Sequence, residues 1–124
     1  MDRRRAREEA LKMLFQRDFS GQIDELELIT DAYVLDVLRG IEAHQSEIDP
    51  VIQERAEGWH ISRLHSVDRS LLRLAIYELY YRKDIPPEVV INEAVELAKR
   101  YGTEKSPAFV NAILDRVLKE KVSI

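Results

Sequence analysis

The chain has 124 residues, of which 45% are apolar and 34% are charged, and its formal net charge is −4. This length and composition are typical of one folded domain and exclude a disordered chain, and no apolar run approaches the roughly 20 residues that cross a bilayer. The chain contains no cysteine, which excludes a disulfide framework and a thiolate metal site and favours a cytosolic protein.

The N-terminal half predicts helices with short connections. Apolar residues at three- to four-residue spacing predict a first helix over residues 3–18, and Gly21 follows as its end. A second stripe predicts a helix over residues 25–43. Asp49 as an N-cap and Pro50 at the first helical position predict that a third helix begins there.

The C-terminal half repeats these start and stop signals. Ser66 can cap a strongly apolar helix over residues 67–82, which we expect to be central and buried. Pro86-Pro87 begins a helix that stops at Gly102, and Ser106-Pro107 begins the last one. We predict an all-α protein of six to seven helices in a single domain, residues 1–124. Its two helical subdomains, about 1–60 and 61–124, would share one core.

The sequence shows no pattern of catalytic or metal-binding residues. Its three histidines lack the spacing of a helical metal site, and no glycine-rich phosphate loop or nucleophile motif is present. Glu78 lies within an apolar row, so we expect a buried carboxylate that needs a partner, and Arg82, four residues on, can supply one. A contact with another protein is the alternative, and it stays open. We therefore predict no enzymatic activity, no metal and no cofactor.

The negative net charge argues against a nucleic-acid partner, but the charge is unevenly distributed. Residues 21–62 carry a net charge of −8, whereas the segments before and after them each carry +2. Arginine binds phosphate and stacks on bases, so the cluster at the start of the chain is a candidate RNA-binding segment. Its members are Arg3, Arg4, Arg5 and Arg7. A solvated helix end is the alternative, and it stays open.

A second candidate RNA element precedes the last helix. Free N–H groups at a helix start attract phosphate, Lys105 adds a positive charge, and Phe109 can stack on a base. The alternative is that Phe109 belongs to the hydrophobic core, four residues before Ile113.

Several segments, in order along the chain, carry a family resemblance. They read RRRARE at residues 3–8, DRSLLRLAIYEL at 68–79, IP at 85–86, INEAVELAK at 91–99 and FVNAILD at 109–115. Together they resemble the NusB family of transcription antitermination factors, and the match spans essentially the whole chain. The resemblance implies a fold of two helical subdomains. It also implies a non-enzymatic, cytoplasmic adaptor that pairs with the ribosomal protein NusE, binds boxA RNA and helps RNA polymerase to read through terminators.

The resemblance also implies roles for individual residues. It places the N-terminal arginines and Phe109 on the RNA side, and it places Phe15 and Asp68 on the surface that faces NusE. Lys105 lies in the loop before the last helix, at a position that is often acidic in the family, so the cation is a departure that favours RNA. The alternative function is a protein-only interaction module, like the domain at the front of some ribosomal RNA cytosine methyltransferases. A homodimer stays open.

Overall fold

The computed structural model describes residues 1–23 and 26–120, which form α-helices and two single 3-10 turns, without strands. The five α-helices are α1 (Arg3–Ser20), α2 (Ala32–Arg55), α3 (Ser66–Tyr81), α4 (Pro87–Tyr101) and α5 (Ser106–Lys119); the 3-10 turns are Leu26–Leu28 and Ile61–Arg63. The all-α class is confirmed, but five α-helices are fewer than the six to seven predicted. None of the helices in the described part of the chain is long and apolar enough to span a membrane.

The predicted helix start at Asp49-Pro50 is wrong, because α2 continues through both residues. Asp49 does not cap a helix; its two carboxylate oxygens accept hydrogen bonds from Arg73 on α3 at 2.9 and 3.0 Å. Pro50 cannot donate to the carbonyl of Ser46, but both residues are exposed, so that carbonyl lies on the solvent side. Fully buried Ile52 anchors the following turn. One long helix therefore replaces the two predicted.

The ends of α1 and the start of α2 are fixed by local hydrogen bonds. Asp2 accepts from the N–H of Arg5 at 2.8 Å, and Gly21 ends α1 in the left-handed conformation, with φ +83°. Asp31 caps α2 by accepting from the N–H of Val34 at 2.9 Å. The helix predicted from residue 25 thus begins at Ala32, and residue 25 itself lies outside the described residues.

The turn between α4 and α5 differs from the predicted cap at Ser106. Ser106 is fully buried, and its Oγ accepts from the N–H of Thr103 at 2.9 Å instead of capping α5. Gly102 is extended, with φ −92°, not left-handed. A Cβ on Gly102 would lie 2.4 Å from Ser106 Oγ and 2.8 Å from the carbonyl oxygen of Ala98. A side chain at position 102 would therefore prevent this tight turn.

Helix α3 is the centre of the fold, as the sequence predicts. It packs against α1, α2, α4 and α5, and most of its residues are buried. Leu72 and Ile76 are completely inaccessible to solvent. Buried side chains from all five α-helices join in one hydrophobic cluster. The predicted subdomain boundary near residue 60 falls in the connection between α2 and α3.

Candidate nucleic-acid interface

The first turn of α1 directs its arginines towards different helices. The Arg3 guanidinium lies 4.5 Å from the centroid of the Tyr33 ring on α2, which is a cation–π contact. Arg4 donates from Nε to Glu93 on α4 at 3.2 Å, and this hydrogen bond raises the pKa of Arg4. Arg5 is exposed beside the segment that precedes α2. The guanidinium groups of Arg3, Arg4 and Arg5 thus lie at the accessible end of α1.

Arg7 departs from the predicted RNA-binding set because it points into the protein. Its side chain is 6% exposed, and its Nε donates to Glu78 on α3 at 2.9 Å. Glu78 also accepts from the hydroxyl of Tyr33. In this conformation Arg7 has no free face for a phosphate, and its role is to join α1 to α3.

The predicted pairing of Glu78 with Arg82 is also wrong. Arg82 lies at the end of α3 and donates to Asp36 at 3.1 Å and to Asp84 at 3.0 Å. The hydrogen bond to Asp84 is the main cause of the raised pKa of Arg82. The four-residue spacing on the helix would allow Glu78 to pair with Arg82. Arg82 instead binds the carboxylates of Asp36 on α2 and Asp84 just after α3.

Tyr33 connects the buried pair to the exposed arginines, and the sequence pattern does not single it out. Its hydroxyl donates to Glu78, while its ring lies near the guanidinium groups of Arg3, Arg7 and Arg82. Burial, together with the nearby charge of Glu78, raises the pKa of Tyr33, so the phenol stays protonated and remains a donor. In the sequence, Tyr33 is only one of the apolar residues at helical spacing in α2, which is a weak signal for a residue that contacts both the buried pair and the exposed arginines.

The second RNA candidate lies at the turn between α4 and α5. Lys105 is exposed and directly precedes α5. Phe109 is half-buried and packs against the hydrophobic cluster, so part of its ring is accessible while the rest contributes to the core. The N–H of Ser106 already donates to the carbonyl of Thr103 at 3.1 Å, which removes one of the free donors expected at this helix start.

Two ion pairs tie α1 to α4 beside the arginine cluster. The first joins Arg4 to Glu93, and the second joins Glu8 to Arg100. Arg100 is not among the predicted site residues. It stands at the end of a helix whose exposed face also carries acidic residues, and nothing in its local sequence marks it.

The two predicted partner-facing residues lie on α1 and α3. Phe15 is half-buried and meets the largely exposed Phe19 edge to face, with ring centroids 5.0 Å apart. Asp68 lies in the first turn of α3 and is 7% exposed. Its Oδ1 has no hydrogen-bond partner within residues 1–23 and 26–120.

Comparison with known proteins decides the family. The model of the NusB family matches residues 4–119. The chain belongs to the NusB family. It is 45% identical to the transcription antitermination protein NusB of Geobacter sulfurreducens, over 93% of this chain and 92% of that protein. The resemblance inferred from the sequence motifs is therefore confirmed.

Solved NusB structures match the fold over nearly the whole chain. The NusB structure of Thermotoga maritima has a TM-score of 0.88 and 46% sequence identity, covering 97% of this chain and 92% of that one. A crystal structure of the antitermination factors NusB and NusE in complex with dsRNA matches with a TM-score of 0.80 and 30% identity, covering 97% and 99%. Among the described residues, no group of three or more histidine or acidic side chains could hold a metal ion.

Proposed function

We propose that this chain is a non-enzymatic adaptor in transcription antitermination. It binds boxA-type single-stranded RNA together with a NusE-like ribosomal protein, and it acts in the cytoplasm as part of the RNA polymerase antitermination complex. The observation that carries the proposal is the fit of 97% of the chain to a NusB structure in complex with NusE and RNA. The exposed arginines at the start of α1 supply a matching chemistry.

The proposed RNA surface consists of Arg3, Arg4, Arg5, Lys105 and Phe109. Arg3 and Arg5 can donate paired hydrogen bonds to phosphate, whereas Arg4 donates from both Nε and Nη2 to Glu93 and adds its exposed positive charge. The accessible part of the Phe109 ring can stack on an unpaired base. Arg7 supports this surface from inside, because its bond to Glu78 fixes the turn that carries the other arginines.

The proposed partner surface consists of Phe15 and Asp68. Asp68 keeps 7% of its surface accessible, and a basic partner that supplies an N–H to that accessible part would gain a charge-assisted hydrogen bond. The excess of acidic residues in 21–62 favours a basic partner in the same way. We therefore expect the acidic chain to bind RNA weakly alone and more tightly with the partner, which is positive coupling between the two ligands.

A gel-shift titration tests the proposal directly. A boxA-like RNA is titrated with the protein, with and without the NusE-like protein, at about 50 and about 200 mM salt. We expect weak binding by the protein alone, tighter binding with the partner, and a steep loss of affinity at the higher salt. Partner binding without any RNA shift at low salt would overturn the RNA function and favour the protein-only module.

Paired variants separate the two surfaces. The double substitution Arg3→Glu/Arg4→Glu should weaken RNA binding and leave partner binding intact, whereas Asp68→Asn, which keeps the side-chain shape, should weaken partner binding. The double substitution Arg116→Glu/Lys119→Glu is the matched control, since it makes the same change in charge on α5, about 16 and 21 Å beyond Lys105 along the helix axis. Equal loss of RNA affinity in the double variant and this control would contradict the assigned RNA surface.

A further inference from the structure

In both ion pairs between α1 and α4, the arginine is far more exposed to solvent than the glutamate. In the Arg4–Glu93 pair the arginine side chain is 68% exposed and the glutamate 17%. In the Arg100–Glu8 pair the arginine is 63% exposed and the glutamate 14%. Each carboxylate is therefore covered, while each guanidinium faces solvent.

These two ion pairs have a formal charge of zero. A ligand that approaches the surface between α1 and α4 nevertheless meets the positively charged guanidinium groups first. Field strength falls with distance, so an approaching phosphate interacts more strongly with the outer guanidinium than with the inner carboxylate. Arg100 contacts Glu8 through Nη1, and its Nε and Nη2 have no hydrogen-bond partner in the part of the chain that the structure describes. Those two donors form the fork that binds phosphate oxygens.

Arg100 also lies between the two proposed RNA elements. Glu8, to which it is paired, follows Arg4 by one turn of α1, about 6 Å along the helix axis. In the other direction, Lys105 follows Arg100 by five residues, across the turn from α4 to α5. Arg100 thus lies between the start of α1 and the turn that carries Lys105.

We propose that Arg100 binds a backbone phosphate of the single-stranded RNA and connects the arginine cluster to the Lys105–Phe109 element. This inference rests on the proposed RNA-binding function and extends its surface to α4. Glu8 occupies only the Nη1 side of the guanidinium and leaves its outer edge free, and the binding itself depends on the cation and not on this ion pair. An exposed ion pair contributes little to stability, so a purely structural role for Arg100 predicts little effect of its removal.

The test measures RNA affinity of the complete chain with its NusE-like partner at several salt concentrations. Arg100→Gln should weaken binding about fivefold at about 0.1 M salt and lower the slope of log affinity against log salt by about 0.7, as expected for one lost phosphate contact on a single strand. Arg100→Lys keeps the charge and should retain most of that slope.

Two controls distinguish phosphate binding by Arg100 from a general effect of lost charge and from a structural effect of the broken ion pair. Arg116→Gln removes the same charge from another exposed ion pair, with Glu57, and should change affinity little. Glu8→Gln breaks the same pair as Arg100→Gln but keeps the cation, so its affinity should stay equal to that of the wild type or increase.

Three results would overturn the inference. If Arg100→Gln matches Arg116→Gln while the wild type binds RNA, Arg100 contacts no phosphate and the proposed function stands. If Glu8→Gln weakens binding as much as Arg100→Gln, the ion pair matters only for structure. If the wild type with its partner binds no RNA at low salt, the proposed function fails, and this inference fails with it.

Discussion

Arg7 on α1 and Glu78 on α3 are 71 positions apart in the sequence and form an ion pair 2.9 Å long, with their side chains only 6% and 2% exposed. Tyr33 adds a third member from α2. The three residues join three helices directly beneath the exposed arginines, so the shape of the proposed RNA surface depends on residues that RNA does not touch.

Glu78→Gln should therefore cost far more stability than its small change in shape indicates. Removing one charge of a buried pair leaves the other unpaired, and we expect a loss of about 3–5 kcal/mol in the free energy of unfolding. Urea denaturation followed by circular dichroism measures it. Glu93→Gln, which breaks the exposed pair with Arg4, is the control and should cost much less; equal losses would contradict the structural role of the buried pair.

Tyr33 should influence RNA affinity through its ring and stability through its hydroxyl. Tyr33→Phe keeps the ring beneath Arg3 but removes the donor to Glu78, so it should lose about 1.5–3 kcal/mol of stability and bind RNA normally. Tyr33→Leu also removes the cation–π contact, and it should weaken RNA binding about two- to fivefold. Titration of RNA in the presence of the partner compares the variants. Equal RNA affinity of the Phe and Leu variants would show that the ring does not position Arg3.

Gly40 on α2 leaves no room for a side chain while Tyr77 keeps its position, because a Cβ there would lie 2.1–2.3 Å from two ring carbons and the hydroxyl oxygen of Tyr77. Alanine gains about 1 kcal/mol of helix propensity, but overpacking costs about 1–3 kcal/mol, and a displaced ring loses its hydrogen bond to Asp36. We expect Gly40→Ala to lower the free energy of unfolding in urea. In a Tyr77→Leu background the same substitution should cost less, and an unchanged cost would point to another source of strain.

Stability should fall steeply at alkaline pH. Burial raises the pKa of Tyr77 to about 12 and also raises that of Tyr33, whereas an unfolded tyrosine titrates near 10. The unfolded chain therefore loses these protons first, so the stabilisation is complete below about pH 10, and the part due to Tyr77 is lost between about pH 10 and 12. Urea unfolding at several pH values measures it. Tyr77→Phe should flatten this decline, and an identical slope in the variant would contradict the assignment.

Local signals predicted most of the fold, and non-local ion pairs account for the main errors. Helical periodicity and the Pro86-Pro87 break place α3 and α4 to within about a residue. At Asp49-Pro50 the local pattern is that of a helix start. Arg73, 24 residues away, donates a hydrogen bond to the Asp49 carboxylate, and α2 continues through both residues. Nothing within a few residues of Asp49 contains that information.

The candidate site shows the same division between local and distant causes. Four arginines near the start of the chain are visible as a cluster, but the sequence cannot tell that Arg7 turns inward, because its partner lies on α3. Glu78 is recognisable as a buried carboxylate, but spacing assigns it the wrong arginine, because only the neighbour four residues away can be judged from the pattern. The sequence pattern does not identify Arg100 as a site residue for a related reason: its partner Glu8 lies on α1, 92 positions away.

Helix α3 carries Asp68 in its first turn and Glu78 near its end. These residues are ten positions apart, so a straight helix separates them by about 15 Å. One belongs to the proposed partner surface, and the other anchors the turn that presents the RNA-binding arginines. In the proposed function, helix α3 therefore sets the distance between the partner surface and the RNA surface, and a partner bound at one end would lie about 15 Å from RNA bound at the other.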